Sequence, residues 1–251
     1  MGVPFDNVTM SEAIEQLQGD LERPGLSRVA FVNADCLNLA SHRANYREAL
    51  LEADRVYADG VGVKIAGRIL GCPVQDNVNG TDLFPQLCAA IDDGSTRLFL
   101  LGGKPGVAEA VKAWVKKHHP GVTVCGVHHG YFKEKEESGV IRAIAISEAD
   151  LVLVAFGAPR QEVWIRDSLR GTSVRVAIGV GGLFDFYSGR IPRAPKWMRR
   201  SGLEWTFRLY QEPRRLWRRY IIGNVVFLGR TLFRRVTTPS SFPNRPEVQE
   251  S

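Results

Sequence analysis

Cysteine is sparse in this sequence, and its spacing does not match that of a metal site. The 251 residues include four cysteines, none of them in a C-x-x-C pair: Cys36, Cys72, Cys88 and Cys125. All but Cys72 lie in apolar patterns and are predicted to be buried thiols of a reducing compartment. The adjacent histidines His128 and His129 are a second metal candidate, but no cysteine or acid stands at ligand spacing from them. A metal site is therefore disfavoured.

The sequence also lacks an apolar run long enough to cross a bilayer. The longest uncharged run towards its end, Tyr220 to Gly229, contains Asn224 and two glycines and is too short to span. The first residues show no apolar core of the signal-peptide kind. Asp6 stands where an N-myristoylation motif needs serine or threonine. Neither a spanning segment nor a lipid anchor is expected.

Acidic residues are scarce after Gly189. The whole chain has an ordinary 24% of charged residues and a net charge of +6. From residue 190 to 235, however, only Glu204 and Glu212 stand among many arginines and lysines. Such a basic block suits an anionic partner, namely phospholipid, pyrophosphate or nucleic acid. Its tryptophans and tyrosines favour a membrane–water interface. The alternative is a basic solvated surface whose aromatic residues pack on the preceding domain.

Apolar runs with strand character alternate with helical patterns over residues 1–189. The predicted strands are 28–32, 54–57, 97–101, 122–127, 151–156 and 174–178. Strand after strand ends in a glycine or polar cluster. The alternation predicts an α/β fold with a doubly wound, mostly parallel, Rossmann-like sheet and a site along its carboxyl edge. We divide the chain into this domain (1–189), a basic helical appendage (190–236) and a disordered tail (237–251).

The helical patterns give more detailed predictions. One continuous helix is predicted over 36–51, and Thr81 and Asp82 are predicted to cap a helix that runs through Ile91. In the basic block, helices are predicted over 196–211 and 214–235. If the second helix continues the first past Pro213, then Arg208, Arg215 and Arg218 share one sector of its surface.

Asp59 is the leading candidate for chemistry. It follows the strand 54–57 and precedes Gly60, Gly62 and a helical pattern. Glycines let the backbone pass close to a ligand, and a helix N-terminus favours an anion. A carboxylate at the carboxyl end of a strand can hydrogen-bond a sugar hydroxyl or remove its proton. The alternative is that Asp59 only caps the helix.

Other strand ends carry weaker signals. The loop 102–106 joins a strand to a helix as nucleotide-binding turns do, although it is neither G-x-G-x-x-G nor a P-loop. Within it, Lys104 is either a phosphate contact or a solvated lysine. Tyr131 and Phe132 follow a glycine and are candidates to line a base or sugar pocket. Pro159, with glutamine and glutamate behind it, marks a helix start.

Nine short segments resemble, in order and spacing, the WecG/TagA/CpsF glycosyltransferases. They are Asp59-Gly60-x-Gly62, Gly80-x-Asp82, Leu100-Leu101-Gly102-Gly103, His129-Gly130-Tyr131-Phe132, Gly157-Ala158-Pro159-x-Gln161-Glu162, Gly179-Val180-Gly181-Gly182-x-Phe184-Asp185, Arg193-Ala194-Pro195, Gly202-Leu203-Glu204-Trp205 and Arg208-Leu209-x-x-Glu212-Pro213-x-Arg215. The likeness covers about residues 2–230. It implies a bacterial enzyme attached peripherally to the cytoplasmic face of the plasma membrane. It also implies inverting transfer of a sugar from a UDP-sugar to a polyprenyl-diphosphate-linked saccharide, with no metal or other cofactor.

The resemblance also implies roles for particular residues. Asp59 is similar to a catalytic base, Asn33 and Gln161 to polar contacts, and Asp185 to a residue near the donor sugar. Three arginines resemble those that close over the diphosphate. With the loop patterns, the predicted catalytic residues are Asp59, Asn33, Arg208, Arg215 and Arg218. The predicted substrate-binding residues are Asn77, Gly102, Lys104, Tyr131, Phe132, Gly157, Pro159, Gln161, Gly182 and Asp185.

Two departures from the family pattern leave the donor sugar open. Asn77 stands where the family often has arginine, and Phe31 where some members have a small polar residue. N-acetylmannosamine, its uronic acid, glucose and glucuronic acid all remain candidates. The expected partners are the UDP-sugar, the lipid-linked acceptor and an anionic membrane surface, without nucleic acid; a homo-oligomer is left open. The alternatives are a nucleic-acid-binding protein with a basic arm and a non-catalytic nucleotide-sugar sensor.

Overall fold

The structure, a computed structural model, describes residues 2–237 apart from the Arg200 side chain. Six strands form one parallel sheet in the order β2-β1-β6-β5-β3-β4. They are β1 (Ser27–Val32), β2 (Arg55–Ala58), β3 (Arg97–Gly102), β4 (Thr123–His128), β5 (Leu151–Ala155) and β6 (Val176–Gly179). Helices flank the sheet, so the predicted α/β, Rossmann-like fold is confirmed.

Helices follow the strands and continue into the basic block. They are α1 (Met10–Glu22), α2 (Ala34–Ala40), α3 (Ala44–Leu51), α4 (Val61–Leu70), α5 (Gly80–Ala90), α6 (Val107–His118), α7 (Glu134–Ile146), α8 (Arg160–Ser168), α9 (Leu183–Tyr187), α10 (Lys196–Arg200), α11 (Glu204–Gln211), α12 (Pro213–Trp217) and α13 (Gly223–Thr237). A π-helical segment, Arg218–Ile222, joins α12 to α13. We call residues 190–237 the appendage.

The side chains of β5 show why its sequence is apolar throughout. Leu151 and Leu153 belong to the hydrophobic core on the face covered by α1, α5, α6 and α9. Val152 and Val154 belong to the core on the opposite face, which α7 and α8 cover. Successive side chains of a strand point to opposite faces. A strand buried on both faces therefore reads as a continuous apolar run.

The helix predicted over 36–51 is in fact two helices, α2 and α3. The Ser41 hydroxyl donates to the Asn38 carbonyl at 2.6 Å, and the Ser41 N–H reaches the same carbonyl at 3.2 Å. Serine side chains compete for helix carbonyls in this way. Arg43 is then extended, with φ −122° and ψ 97°, and precedes α3. The helical periodicity was read correctly, but the break was missed.

Three further details also differ from prediction. Asn79 caps α5, because its Oδ1 accepts from the Asp82 N–H at 2.8 Å; Thr81 and Asp82 were wrong as caps. The helix predicted over 196–211 is interrupted at Gly202, whose φ of +73° favours glycine. Cys125 is half-buried rather than buried, because β4 is an edge strand, whereas Cys36 and Cys88 are buried as predicted.

The last helix packs on the sheet domain. Helix α13 contacts α2 and α4, and Phe227 is fully buried in the core that these helices share. The Asn38 amide donates to the Gly223 carbonyl at 2.8 Å, which fixes the start of α13. Of the predicted disordered tail, only Thr237 is described, and it ends α13; residues 238–251 lie outside the described residues. No helix within residues 2–237 is long and apolar enough to cross a membrane.

We expect Phe227→Ala to lower the free energy of unfolding by about 3–5 kcal/mol, because it empties a fully buried aromatic site. Urea unfolding followed by circular dichroism measures the loss. Phe233→Ala is the matched control, since Phe233 lies on the same helix but is 71% exposed. Equal effects of the two substitutions would show that α13 is not docked through Phe227.

Candidate active site

Two adjoining cavities open at the carboxyl ends of β1, β2, β5 and β6. The appendage cavity, of about 180 Å³, lies between the ends of β1 and β2 and the appendage helices. The glycine cavity, of about 190 Å³, lies against the glycine loops that follow β5 and β6. The residues that line both cavities are Asn33, Asp59, Thr81, Phe186, Arg208 and Arg219. A ligand in one cavity therefore meets a ligand in the other beside Asp59.

The Asp59 carboxylate is free of helix capping. The Asp59 N–H donates to the Val32 carbonyl at 2.9 Å, which continues the pairing of β1 with β2. Gly60 is the N-cap of α4 and no side chain caps that helix, so the capping interpretation of Asp59 is wrong. Gly60 has a φ of +92°, a conformation that favours glycine, and its N–H donates to Asn77 Oδ1. Asn77 thus holds the turn that presents Asp59.

Burial makes Asp59 less acidic than an ordinary carboxyl group. Its pKa is raised to about 6, first by burial and then by Glu204, which lines the same cavity. Arg219 and Arg208 act in the opposite direction, as does a hydrogen bond from the Asn33 side chain. An acid that titrates near neutral pH is suited to accepting a proton during a reaction.

Glu204 is held in the cavity wall by a charge network. Its Oε1 accepts from Arg193 Nε at 3.0 Å, and Arg193 also lies 2.8 Å from the Asp82 carboxylate. Arg199 lies 3.5 Å from the same Asp82 oxygen. The network joins the start of α5 to the appendage. It thereby fixes the position of a second carboxylate, Glu204, in the appendage cavity.

The Asn33 side chain caps a helix and also hydrogen-bonds Asp59. It is the N-cap of α2, and its Oδ1 accepts from the Cys36 N–H at 3.1 Å. The same side chain hydrogen-bonds Asp59, and Asn33 lines both cavities. The residue can therefore orient the carboxylate of Asp59.

Arginines of the appendage reach the same place. Arg208 lines both cavities, stacks 5.1 Å from the Phe186 ring centre, and lies so near Gly182 that an added Cβ there would be 3.1 Å from its Nη2. Arg215 lines the glycine cavity and pairs with Glu212. Cationic forks of this kind suit phosphate groups.

Arg219, which the sequence did not single out, lines both cavities as well. Its Nε lies 3.1 Å from Asp35 Oδ2 but makes no aligned hydrogen bond to any described residue. The predicted Arg218 is outside both linings, exposed, and 5.3 Å from the Trp217 ring centre. The sequence could have identified Arg219, because positions 208, 215 and 219 follow the i, i+7, i+11 spacing of one helix face.

Gln161 ties the two glycine loops together. Its Oε1 accepts from the Gly157 N–H at 3.0 Å and from the Gly181 N–H at 2.9 Å. Its Nε2 donates to Glu162 Oε1 at 2.9 Å. Gln161 is buried in the wall of the glycine cavity. Its amide therefore positions the loops, whatever further contact it makes with substrate.

The remaining predicted residues fall into two groups. Asn77, Gly157 and Gly182 line the cavities, whereas the others do not. Those outside the linings are Gly102, Lys104, Tyr131, Phe132, Pro159 and Asp185. Gly102 ends β3, and Lys104, Tyr131 and Phe132 follow β3 or β4, the two strands farthest from β2; Lys104 and Tyr131 are exposed. Asp185 lies 3.6 Å from Arg190. Their roles stay predictions.

A parallel sheet with glycine loops at its carboxyl edge, and a carboxylate among arginines, is the kind of site that enzymes acting on anionic substrates use. The glycosyl transferase WecG/TagA/CpsF family matches residues 1–241. The chain belongs to this family of glycosyltransferases. The family assignment confirms the resemblance drawn from the motifs, and it confirms that the protein is an enzyme.

Two curated relatives carry the same name, N-acetylglucosaminyldiphosphoundecaprenol N-acetyl-beta-D-mannosaminyltransferase. The one from Bacillus spizizenii is 38% identical over 183 residues, which are 72% of this chain and 70% of the relative. The one from Bacillus subtilis is 28% identical over 246 residues, which are 98% of this chain and 94% of the relative. The likeness therefore extends over nearly the whole sequence.

Proposed function

We propose that the protein transfers N-acetylmannosamine, with inversion, from its UDP derivative to a polyprenyl-diphosphate-linked N-acetylglucosamine. The observation that carries this proposal is the convergence of Asp59, Arg208 and Arg219 where the two cavities meet. The sugar and the acceptor are those in the names of the relatives. Those names specify a β product, which is the outcome of inversion at an α-linked nucleotide sugar.

The glycine cavity is the proposed donor site. The glycine loops after β5 and β6 allow the close approach that a diphosphate needs, and the start of α8, the positive end of its dipole, lies beside the cavity. Arg208, Arg215 and Arg219 supply positive charge on the side of the appendage. The appendage cavity, with Trp205 and Tyr220 in its wall, is the proposed site of the acceptor sugar.

The proposed reaction is a single displacement. Asp59 takes the proton of an acceptor hydroxyl while that oxygen bonds to the anomeric carbon of the donor. The bond from this carbon to the diphosphate oxygen breaks on the opposite face, and the electron pair leaves with UDP. The charge that develops on the diphosphate is stabilised by Arg208, Arg215 and Arg219. In this proposal the arginines do what a divalent cation does in other enzymes, so the reaction needs no metal.

Transfer from UDP-N-acetylmannosamine to a synthetic lipid-diphosphate N-acetylglucosamine, followed by mass spectrometry and NMR, tests the proposal. We expect a β-linked disaccharide product, and an equal rate in buffer with EDTA. UDP-glucose, UDP-glucuronic acid and the mannosaminuronic acid derivative are run beside it. An α-linked product would contradict inversion. Loss of activity in EDTA with recovery in magnesium would contradict metal independence, and a preference for another sugar would replace the donor.

The appendage is also the proposed membrane contact. Its outer surface carries exposed apolar side chains among arginines, namely Trp217, Ile221, Ile222, Val225, Leu232, Phe233 and Val236. Soluble monomeric proteins rarely expose many apolar side chains together on one surface. Each basic residue near an anionic bilayer adds on the order of 1 kcal/mol to attachment. This supports peripheral binding that brings the lipid-linked acceptor to the cavity.

The double substitution Val225→Glu and Phe233→Glu should lower binding to anionic liposomes at least about tenfold. It removes two apolar contacts with the membrane, which contribute at most roughly 1.5–3 kcal/mol each. Sedimentation with liposomes measures the bound fraction. Ile146→Glu is the matched control, since Ile146 is as exposed as Phe233, 71% in each case, but lies at the end of α7. Liposome binding that survives the double substitution would show that another surface is responsible.

A further inference from the structure

Glu162 is a buried carboxyl group in the wall of the glycine cavity for which the reaction above has no use. It stands in the first turn of α8 and is only 5% exposed. Its Oε1 accepts the hydrogen bond from Gln161, but its Oε2 is buried and has no hydrogen-bond partner among the described residues. Buried polar groups in native proteins are almost always paired, so the free acceptor calls for a partner.

Within residues 2–237, no donor reaches Glu162 Oε2 in hydrogen-bonding geometry. Burial raises the pKa of Glu162 to about 7, and the hydrogen bonds from the Gln161 side chain and from its own backbone N–H offset this only in part. The neighbouring Cys36 lines the same wall, and burial, followed by the charge of Glu162, raises its pKa to about 11. Cys36 is thus a neutral thiol, which is a weak hydrogen-bond donor. The missing donor is therefore expected on the ligand.

We propose that Glu162 Oε2 accepts a hydrogen bond from a hydroxyl or acetamido N–H of the sugar being transferred, and so helps to select the donor. This inference rests on the proposed function, because it places the donor in the glycine cavity. A diphosphate offers only acceptors and negative charge, so it does not pair with the ionised carboxylate, which predominates above pH 7 and accepts from a sugar hydroxyl or N–H. Asp59 and Arg208 line the same cavity, which brings the transferred sugar, rather than the nucleoside, to this end.

Gln161 makes Glu162 a rigid acceptor. The Gln161 side chain is itself fixed by the N–H groups of Gly157 and Gly181, so the carboxyl group that it holds has little freedom. A preorganised group loses little entropy when its ligand binds. A buried acceptor that is left unpaired also rejects a sugar that lacks the matching donor, which is how polar sites discriminate strongly.

The affinities of UDP and of UDP-N-acetylmannosamine, measured by calorimetry, test the contact. Glu162→Gln keeps an oxygen for Gln161 but presents an amide N–H₂ where the sugar needs an acceptor. We expect it to leave UDP affinity within about twofold and to weaken UDP-N-acetylmannosamine at least about tenfold, as for a lost hydrogen bond to a charged group. Glu162→Asp, which withdraws the acid by one methylene, should give an intermediate loss. Asp167→Asn, an exposed position on the same helix, is the control and should change neither affinity.

UDP-mannose distinguishes the two kinds of donor group. If the acetamido N–H is bound, Glu162→Gln removes the preference for UDP-N-acetylmannosamine over UDP-mannose; if a hydroxyl is bound, both weaken alike. If Glu162→Gln leaves the ratio of UDP to UDP-N-acetylmannosamine affinity unchanged, or changes only the KM of the acceptor, the proposal is overturned. A native protein that binds neither UDP nor UDP-sugar would overturn the proposed donor, and this contact with it.

Discussion

Asp59→Asn is expected to lower turnover by about 10²–10⁴-fold, the range that a positioned general base contributes. The substitution keeps the shape of the side chain and its ability to accept a hydrogen bond, but it removes the proton acceptor. Donor affinity should be nearly unchanged, because the arginines and glycine loops remain in place. Steady-state kinetics and calorimetry on the same preparation measure both quantities. A loss of less than tenfold would mean that Asp59 orients the acceptor without taking its proton.

The pH dependence provides a second test of the same assignment. The base must be ionised to act, so turnover of the native enzyme should fall as the pH drops through about 6, the raised pKa of Asp59. Glu204 is the second cause of that raised pKa. Glu204→Gln should therefore move the acidic limb of the kcat profile to lower pH. An acidic limb that stays in place would separate Glu204 from the titration of Asp59.

As the pH falls, the contribution of Asp59 to the stability of the fold should rise while turnover falls. The pKa of Asp59 is about 6 in the folded protein and about 3.9 in an unfolded chain. The folded state therefore binds the proton more tightly, so this residue adds stability as the pH falls from about 6 towards 4 and costs stability above 6. Asp59→Asn removes that cost and should raise the melting temperature at pH 7.5 by a few degrees, at about 2–4 °C per kcal/mol for a chain of this size. A lower melting temperature would mean that asparagine disturbs the site.

The strands could be predicted because each one follows from the local sequence pattern. The order of the strands in the sheet does not follow from that pattern. The apolar run at 151–155 predicts a strand buried on both faces, as β5 is. Nothing in that run says that β6 lies between β1 and β5. This order brings Asn33 and Asp59 beside the glycine loops, and it leaves Lys104 at the far half of the sheet. Tertiary contacts decide which strand ends share a site.

The need for tertiary contacts also explains which of the residues that line the cavities could be predicted from the sequence. Asp59 could be predicted because an acid before Gly60, at the end of a strand, is a local pattern. Glu162 could not, because an unpaired carboxyl oxygen is visible only once burial and partners are known. Helix breaks were missed where a side chain competes for the backbone, as Ser41 does. Arg219 was missed because the phase of the helix, rather than the composition, decides which arginine lines the cavities.

Arg219→Ala is expected to lower kcat by about 10²–10³-fold, the loss seen when one preorganised donor to developing charge is removed. The guanidinium stands where the two cavities meet and lines both of them. Its place in both walls puts its positive charge beside the proposed diphosphate. Asp35, 3.1 Å away, keeps the side chain in place before the donor arrives. Single-turnover assays at saturating donor measure the chemical step directly.

Arg218→Ala is the matched control, because it removes the same charge one residue earlier. Arg218 is exposed and contacts the ring of Trp217 outside both cavities. We expect turnover within about twofold of the native enzyme, as for surface substitutions away from a site. Only Arg218→Ala should reduce liposome binding measurably, since an exposed basic residue contributes on the order of 1 kcal/mol near an anionic bilayer, whereas Arg219 lines the cavities. The pair thus separates a diphosphate contact from a membrane contact.

Arg219→Lys distinguishes the bidentate hydrogen bonding of the guanidinium from its positive charge. Lysine keeps the positive charge but loses the planar pair of donors, so bidentate recognition of a phosphate is lost while general attraction remains. Turnover between those of the native enzyme and of Arg219→Ala is expected. In the π-helical turn, which begins at Arg218, Arg219 lines the cavities and Arg218 is exposed. If Arg218→Ala proves the more damaging of the two alanine substitutions, the turn has the opposite phase when substrate is bound, and Arg219 is not the diphosphate contact.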